Sequence, residues 1–456
     1  MNLRLWLDQV LDDHQKWTDE AGPYEVHDSL RVADTDVETA LHELADRLRD
    51  NYPYFHPRYA GQMLKPPHPA AVAGYLATML VNPNNHSLDG GPATARMEKE
   101  VMGQLAAMFG LDSYLGHLTT SGTIANLEAL YVARQSHPDR GVAFSADSHY
   151  THARMCGVLG MTGYPIPTDN AGRMDLAALE KQLLSGTVGT VVVTPGTTGL
   201  GAIDPVHEVL EMCTRFGVRV HVDAAYGGFF TLLAGLDGPE GLDPRPWSAI
   251  SRCDSIVIDP HKHGLQPYGC GAVLFRDPAT AQFFTHDSPY TYYTSKELHL
   301  GEISLECSRS GASAAALWLT LKLFPLTPDG LGQVLASGRR AALNWSQHIE
   351  ESEHLALYQP PDLDIVSYFP RLTPSRLSDI DAASARILHE GMAAAGNPVF
   401  VSLLRATAAG FTARHNNVIA DVSEARILRS VLMKPESENY VGILHSRIEE
   451  LASAAS

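Results

Sequence analysis

Cysteine is scarce in this 456-residue chain: there are five, at positions 156, 213, 253, 270 and 307, with no CxxC spacing. So odd and scattered a set forms neither a disulfide framework nor a structural zinc site. Long apolar runs are missing too. The longest, around Ala314–Leu321, stops at Lys322, short of the ~18 residues a membrane-spanning helix needs. Asp8, Asp12 and Asp13 break up the opening residues, so no secretory apolar segment is expected there. Basic charge is in deficit: 52 acidic against 34 basic side chains give a formal net charge of −18, which argues against binding to nucleic acid. Within the basic set lysine is rare, with eight Lys beside 26 Arg. Hydrophobic residues at 45% and charged residues at 19% are those of a folded globular protein, expected in the cytoplasm.

Residues 1–50 carry a helical pattern, followed by an aromatic and Pro-rich irregular stretch from Tyr52 to Pro69. Helical periods follow at Ala70–Leu80 and Glu98–Phe109. From about residue 115 short β-rich runs alternate with helices. Val142–Ser145, Gly189–Thr194, Val218–Asp223, Ser255–Ile258 and Ala272–Phe275 read as strands, with helices at Thr123–Gln135, Asp175–Leu184 and Pro205–Phe216. That alternation predicts an α/β fold with a mainly parallel sheet covered on both faces. Beyond Gly330 a long helix leads into a smaller α+β part, with strands at Leu355–Tyr358, Ile365–Phe369, Val399–Leu404 and Ile427–Met433 and helices near Asp379–Ala395 and Glu438–Ala452. The expected division is 1–90 (helical and irregular), 91–330 (large domain) and 331–456 (small domain).

Ligands of such sheets bind beyond the carboxyl ends of strands, and four strand ends carry unusual chemistry. His117-Leu-Thr-Thr-Ser-Gly-Thr places Ser121, Gly122 and Thr123 at a helix start, where free N–H groups suit a phosphate; a plain N-cap uses the same residues. His221-Val-Asp-Ala-Ala-Tyr puts Asp223 at the end of an apolar strand, followed by small residues that leave room for a planar ligand. Asp259-Pro-His-Lys-His-Gly sets Lys262 after Ser-Ile-Val-Ile and between two histidines. A lysine partly withdrawn from water near other cations becomes a carbonyl nucleophile, whereas the other seven (16, 65, 99, 181, 296, 322 and 434) sit in contexts compatible with solvent. His149-Tyr-Thr-His follows a strand and offers an imidazole to stack on a ring or to bond within the core. A phosphate cradle, an acid for a pyridinium nitrogen, a stacking group and an activated lysine together meet the needs of pyridoxal 5'-phosphate.

With these motifs in place, the chain resembles the group II pyridoxal-phosphate-dependent amino acid decarboxylases, of the aspartate-aminotransferase-like fold, fold type I. The resemblance spans about 51–322 and continues weakly through Ile427-Leu-Arg-Ser-Val-Leu-Met-Lys-Pro, where an Asn often stands in place of Lys434. It implies that Lys262 holds the cofactor aldehyde, Asp223 binds the ring nitrogen, Ala225 packs on the ring and His149 stacks on its other face. Ser121, Gly122 and Thr123 match the phosphate turn, His261 is a further phosphate-side residue, and Thr197 lies near cofactor and substrate. Ile124 stands where the family usually has Glu, and Asp259 where it often has Asn, so this carboxylate near a phosphate calls for a compensating donor. Glu306-Cys-Ser-Arg-Ser-Gly-Ala is similar to the sphingosine-phosphate lyase and archaeal tyrosine/aspartate decarboxylase branch.

The expected reaction is decarboxylation of an L-amino acid to an amine and CO2, with Lys262, His149 and Asp223 catalytic. Tyr290, Tyr292 and Tyr293 are acid candidates by resemblance. Tyr59, in the aromatic stretch, is a candidate for the substrate mouth and points to an aromatic or apolar side chain. Rival pyridoxal chemistries are a carbon–carbon lyase, an aldehyde-forming oxidative deaminase and an aminotransferase. A remoter alternative reads His261 and His263 as an HxH metal pair of a hydrolase, with Asp223, His221, His149 and His152 as possible further ligands. The resemblance also implies a homodimer with an amino acid as its small-molecule partner, and no metal, nucleic acid or membrane.

Overall fold

The computed structural model describes residues 2–285 and 299–454. The first two helices, α1 (Leu3–Glu20) and α2 (Asp34–Leu48), bury none of their residues. α3 (Pro69–Met79) packs against α1 and against α10 (Ala312–Leu323). Between them lie α4 (Pro92–Met108), α5 (Gly122–Ser136), α6 (Thr151–Leu159), α7 (Leu176–Leu183), α8 (Val206–Phe216) and α9 (Pro244–Ala249).

Among the described residues, seven strands build the large sheet: β1 (Leu115–Thr119), β2 (Gly141–Ser145), β3 (Gly163–Ile166), β4 (Val188–Val193), β5 (Arg219–Asp223), β6 (Ser255–Ile258) and β7 (Gly271–Phe275), in the order β1-β7-β6-β5-β4-β2-β3. β2 to β6 pair in parallel, and β7 runs antiparallel to both β6 and β1. Successive residues of a strand face opposite sides, and the cores follow that alternation. Val191 and Val193 join Val101 and Leu105 of α4 and Val206 and Val209 of α8, whereas Val192 packs with Leu130 of α5 and Met155 of α6. The chain leaves β2 toward one side of the sheet and β4 toward the other, so the order reverses between them. The strand ends there form the crevice where such sheets take ligands.

The mainly parallel, two-faced sheet is the expected one, with two additions. β1 and β3 were not foreseen as strands, and both are edges of the sheet. β3 reads Gly-Tyr-Pro-Ile, and an edge tolerates a proline because only one side needs N–H donors. β1 reads Leu-Gly-His-Leu-Thr and lacks the β-branched run that marks buried strands.

After α11 (Leu331–Glu351) come β8 (Leu355–Gln359), β9 (Ile365–Pro370), α12 (Leu377–Ala393), β10 (Ser402–Thr407), α13 (Ala408–Arg414), β11 (Glu424–Val431) and α14 (Val441–Ser453). The four strands form an antiparallel sheet in the order β10-β11-β9-β8. Trp345, Tyr368, Ile387 and Leu444 knit this sheet to α11, α12 and α14. The strand expected at Val399–Leu404 begins instead at Ser402. Residues just before it are engaged elsewhere: Phe400 N donates to Arg58 O at 3.0 Å and Ala60 N to Phe400 O at 2.8 Å. The irregular stretch is thus bonded into the body of the protein.

That stretch also corrects the reading of two lysines. Lys434 is 4% exposed and donates to Tyr59 O at 2.6 Å, and Lys65 Nζ donates to Met433 O at 3.3 Å. Carbonyls with no strand or helix partner draw both ammonium groups inward. Burial pushes each pKa down to about 8, and Lys65 adds its charge against Lys434. The unfolded chain therefore holds more protons between about pH 8 and the ordinary lysine value of about 10.4, and stability rises with pH across that window. Urea unfolding of wild type and Lys434→Met from about pH 7 to about pH 10 tests this: the difference should move in favour of wild type as pH rises, and a flat difference would contradict it.

Candidate active site

The carboxyl ends of β1, β2, β4, β5 and β6 open into one cleft of about 250 Å³. Ser121, Gly122, Thr123, His149, Asp223, Ala225, His261 and Lys262 all line it. Residues up to 141 positions apart in sequence (Ser121 to Lys262) meet there because parallel strands bring their ends to one side of the sheet.

At the start of α5 Ser121 Oγ accepts from Ile124 N at 3.3 Å. The amides of Gly122 and Thr123 belong to the first turn, which a helix leaves without internal acceptors. Asn126 Nδ2 donates to Gly122 O at 2.8 Å, and Asn126 Oδ1 accepts from His221 Nε2 at 2.9 Å. A Cβ on Gly122 would press into the Asp259 carboxylate and force it to shift. The cleft thus offers a cradle of backbone donors for an anion.

Asp223 is 4% exposed at the end of β5. Its Oδ2 accepts from His152 Nε2 at 2.8 Å and its Oδ1 from Ala225 N at 3.2 Å. Burial alone would raise its pKa, but the His152 hydrogen bond and the charges of His152 and Lys262 hold it below the ordinary carboxylate value. The acid is therefore ionised at neutral pH and suited to a protonated ring nitrogen. His221 behind it is pushed down to about 3 by burial and stays neutral. His149 Nδ1 lies 2.6 Å from Thr151 Oγ1, and burial lowers its pKa, so it presents a neutral imidazole to the cleft.

Lys262 Nζ lies 3.1 Å from Asp259 Oδ2. On one side of it, His261 Nδ1 donates to Cys270 O at 2.8 Å. On the other, His263 faces away from the cleft, with Nδ1 donating to Tyr226 O at 3.1 Å and Nε2 2.9 Å from Asp364 Oδ2. The two imidazoles of the HxH therefore diverge, and among the described residues no group of three or more His, Cys, Asp or Glu converges for a metal. Tyr226 OH completes this second cluster with a 2.5 Å hydrogen bond to Asp364 Oδ1.

Two candidates lie elsewhere. Thr197 is fully buried behind the lining, with Oγ1 accepting from Ala202 N at 3.1 Å; Thr194, Gly196 and Thr198 face the cleft instead. Gly196, at φ +114°, makes the bend that turns Thr197 inward. Tyr59 is 5% exposed and packs with Tyr52, Tyr54 and Phe400, away from the cleft lining. That removes the basis for reading an aromatic substrate from this stretch. Tyr290, Tyr292 and Tyr293 lie outside the described residues. The run at Glu306 is tied to the base of α5: Glu306 accepts from Thr120 N at 3.0 Å and Thr120 Oγ1 at 2.6 Å, and Leu305 N donates to Glu128 Oε1 at 3.1 Å. Asn126 and Asp364 escaped the sequence reading, because each acts through a partner far away in the chain, and His152, read there only as a further metal ligand, instead holds Asp223.

A family model described as the pyridoxal-dependent decarboxylase conserved domain matches residues 36–369. A probable L-tyrosine/L-aspartate decarboxylase of Methanothermobacter thermautotrophicus is 30% identical, over 72% of this chain and 87% of that one. An L-tyrosine decarboxylase of Enterococcus faecium is 28% identical, over 76% and 74%. Among solved structures, mouse CSAD superposes with a TM-score of 0.78 at 22% identity, covering 97% of this chain and 91% of that one. Oryza sativa TDC, solved with PLP and tryptamine, gives 0.79 at 18% identity, covering 98% of each. The fold is that of the type I pyridoxal enzymes, pyridoxal 5'-phosphate is the cofactor, and the chain belongs to the pyridoxal-dependent decarboxylase family.

Proposed function

We propose that this chain decarboxylates an L-amino acid at Lys262, with Asp223 and His149 acting on the cofactor ring. The carrying observation is that Lys262, an ionised buried Asp223 and the free first turn of α5 share one cleft. The group fits the donors present: the α5 amides and Thr123 for the phosphate, Asp223 for the ring nitrogen, and the small Ala225 to leave the ring room. When bound, pyridoxal phosphate supplies an electron sink for the pair left behind as the carboxylate departs. Asp223, held ionised by His152, would keep that sink effective by favouring a protonated ring nitrogen. His149, neutral and half-buried in the cleft lining, would pack against the ring and could move a proton to or from the substrate. Tyrosine and aspartate, named for the relatives, are the first substrates to try.

We further propose a homodimer in the cytoplasm. α1 and α2 bury nothing within the chain, yet Leu11, Trp17, Leu41 and Leu44 are exposed on them, an apolar area that a second copy would cover. All five cysteines are free, as in a reducing compartment, and no described helix is long and apolar enough to cross a membrane. The division at residues 90 and 330 is proposed on the same terms, the two sheets falling on either side of 330.

Three outcomes follow. Wild type incubated with a panel of L-amino acids releases CO2 and an amine, and Lys262→Ala loses at least about a hundredfold in rate; aldehyde or keto acid without amine would move the chain to a rival chemistry. Gly122→Ala places a methyl against Asp259 at the cradle, so equilibrium dialysis should read a loss of about tenfold or more in cofactor affinity; unchanged affinity would remove α5 from the phosphate site. In sedimentation the wild type runs as a dimer, and Leu41→Glu with Leu44→Glu yields monomer; a dimer undisturbed by both changes would place the interface elsewhere.

A further inference from the structure

Asp259 closes β6 and sits three residues before Lys262, 2% exposed. Its Oδ2 is 3.1 Å from Lys262 Nζ and 3.6 Å from His261 Nε2, whereas Oδ1 is buried without a hydrogen-bond partner. The residue lines the cleft. Its backbone is held on both sides, Asp259 N donating to Ala225 O at 3.3 Å and Lys262 N to Asp259 O at 2.9 Å. Gly122, lacking a Cβ, closes against it, so the carboxylate is wedged between the nucleophile and the first residue of the phosphate cradle.

A buried carboxylate oxygen left unpaired is costly, and its persistence points to a task in the cleft. Three neighbouring groups already hold other partners. Asp223 already accepts from His152 and Ala225 N, His261 gives its Nδ1 proton to Cys270 O, and His263 is turned toward Asp364. Asp259 alone among these groups combines hydrogen-bond distance to Nζ with an oxygen to spare.

We propose that Asp259 is a catalytic residue, the acid–base partner of Lys262 in joining and releasing the cofactor. The inference rests on Lys262 being the lysine that carries it. The Lys262 ammonium gives a proton to the Asp259 carboxylate, and the freed lone pair forms the C–N bond while the aldehyde π pair moves to oxygen. Asp259 returns its proton to that oxygen. It then takes a second proton from the nitrogen and passes it to the same oxygen, which leaves as water while the nitrogen lone pair closes the C=N bond. One water is produced, the positive charge stays on the imine nitrogen, and Asp259 ends as the carboxylate it began. Run backwards, the relay reprotonates Lys262 when a substrate amine displaces it.

The test uses apo-protein mixed with pyridoxal phosphate, following the visible imine band in a rapid-mixing spectrometer for wild type, Asp259→Asn and Asp259→Ser. Circular dichroism melts check that each variant folds. In parallel, equilibrium dialysis reads pyridoxal phosphate binding without attachment in Lys262→Ala, with and without Asp259→Asn. Attachment should slow by about a hundredfold in both single variants, while dialysis shows binding unchanged or tighter, because a negative charge beside the phosphate has been removed. Equal attachment rates, or slower attachment matched by an equal loss of binding in the Lys262→Ala background, would overturn the proposal. No imine band in wild type would instead overturn the assignment of Lys262 on which it rests.

Discussion

Burial of the Asp223 carboxylate is the constraint around which the cleft is organised. An ion withdrawn from water costs several kcal/mol unless donors and opposite charge surround it. Here one donor comes from α6, as His152 Nε2 at 2.8 Å, and one from the turn after β5, as Ala225 N at 3.2 Å. Those two bonds tie the first turn of α6 and the turn after β5 to one carboxylate. They also leave the acid ionised in a water-poor place.

The second support is long-range. Two buried side chains of the small-sheet region reach the strand ends at the cleft, and the first, Asp364, just before β9, binds both His263 and Tyr226. Arg429 of β11 donates to Thr198 O at 2.6 Å and Gly199 O at 2.7 Å. His263 is the neighbour of Lys262, and Thr198 faces the cleft. The lysine end of β6 and the turn after β4 are therefore gripped from the small sheet, and Lys262 rests on a scaffold drawn from both sheets.

Much of this was legible in the residues. Strands rich in valine and isoleucine, such as Val-Val-Val and Ser-Ile-Val-Ile, announce themselves, and the four strand-end motifs are short and contiguous. Edge strands are not: β3 carries a proline and β1 has no branched run. Pairings across distance stayed hidden, since His152 meets Asp223 over 71 positions and His263 meets Asp364 over 101. Lys65 and Lys434 read as solvent lysines because the carbonyls that hold them belong to irregular backbone. Thr197 and Thr198 are adjacent threonines, and only the bend at Gly196 decides which of them faces the cleft.

The central claim is that one lysine of eight carries the cofactor. Borohydride reduction of the holoprotein followed by peptide mapping reads this directly, because reduction freezes the imine onto its lysine. The account predicts the phosphopyridoxyl mass on the peptide holding Lys262 alone. An adduct on Lys65, Lys434 or any other lysine, with Lys262 unmodified, would contradict it.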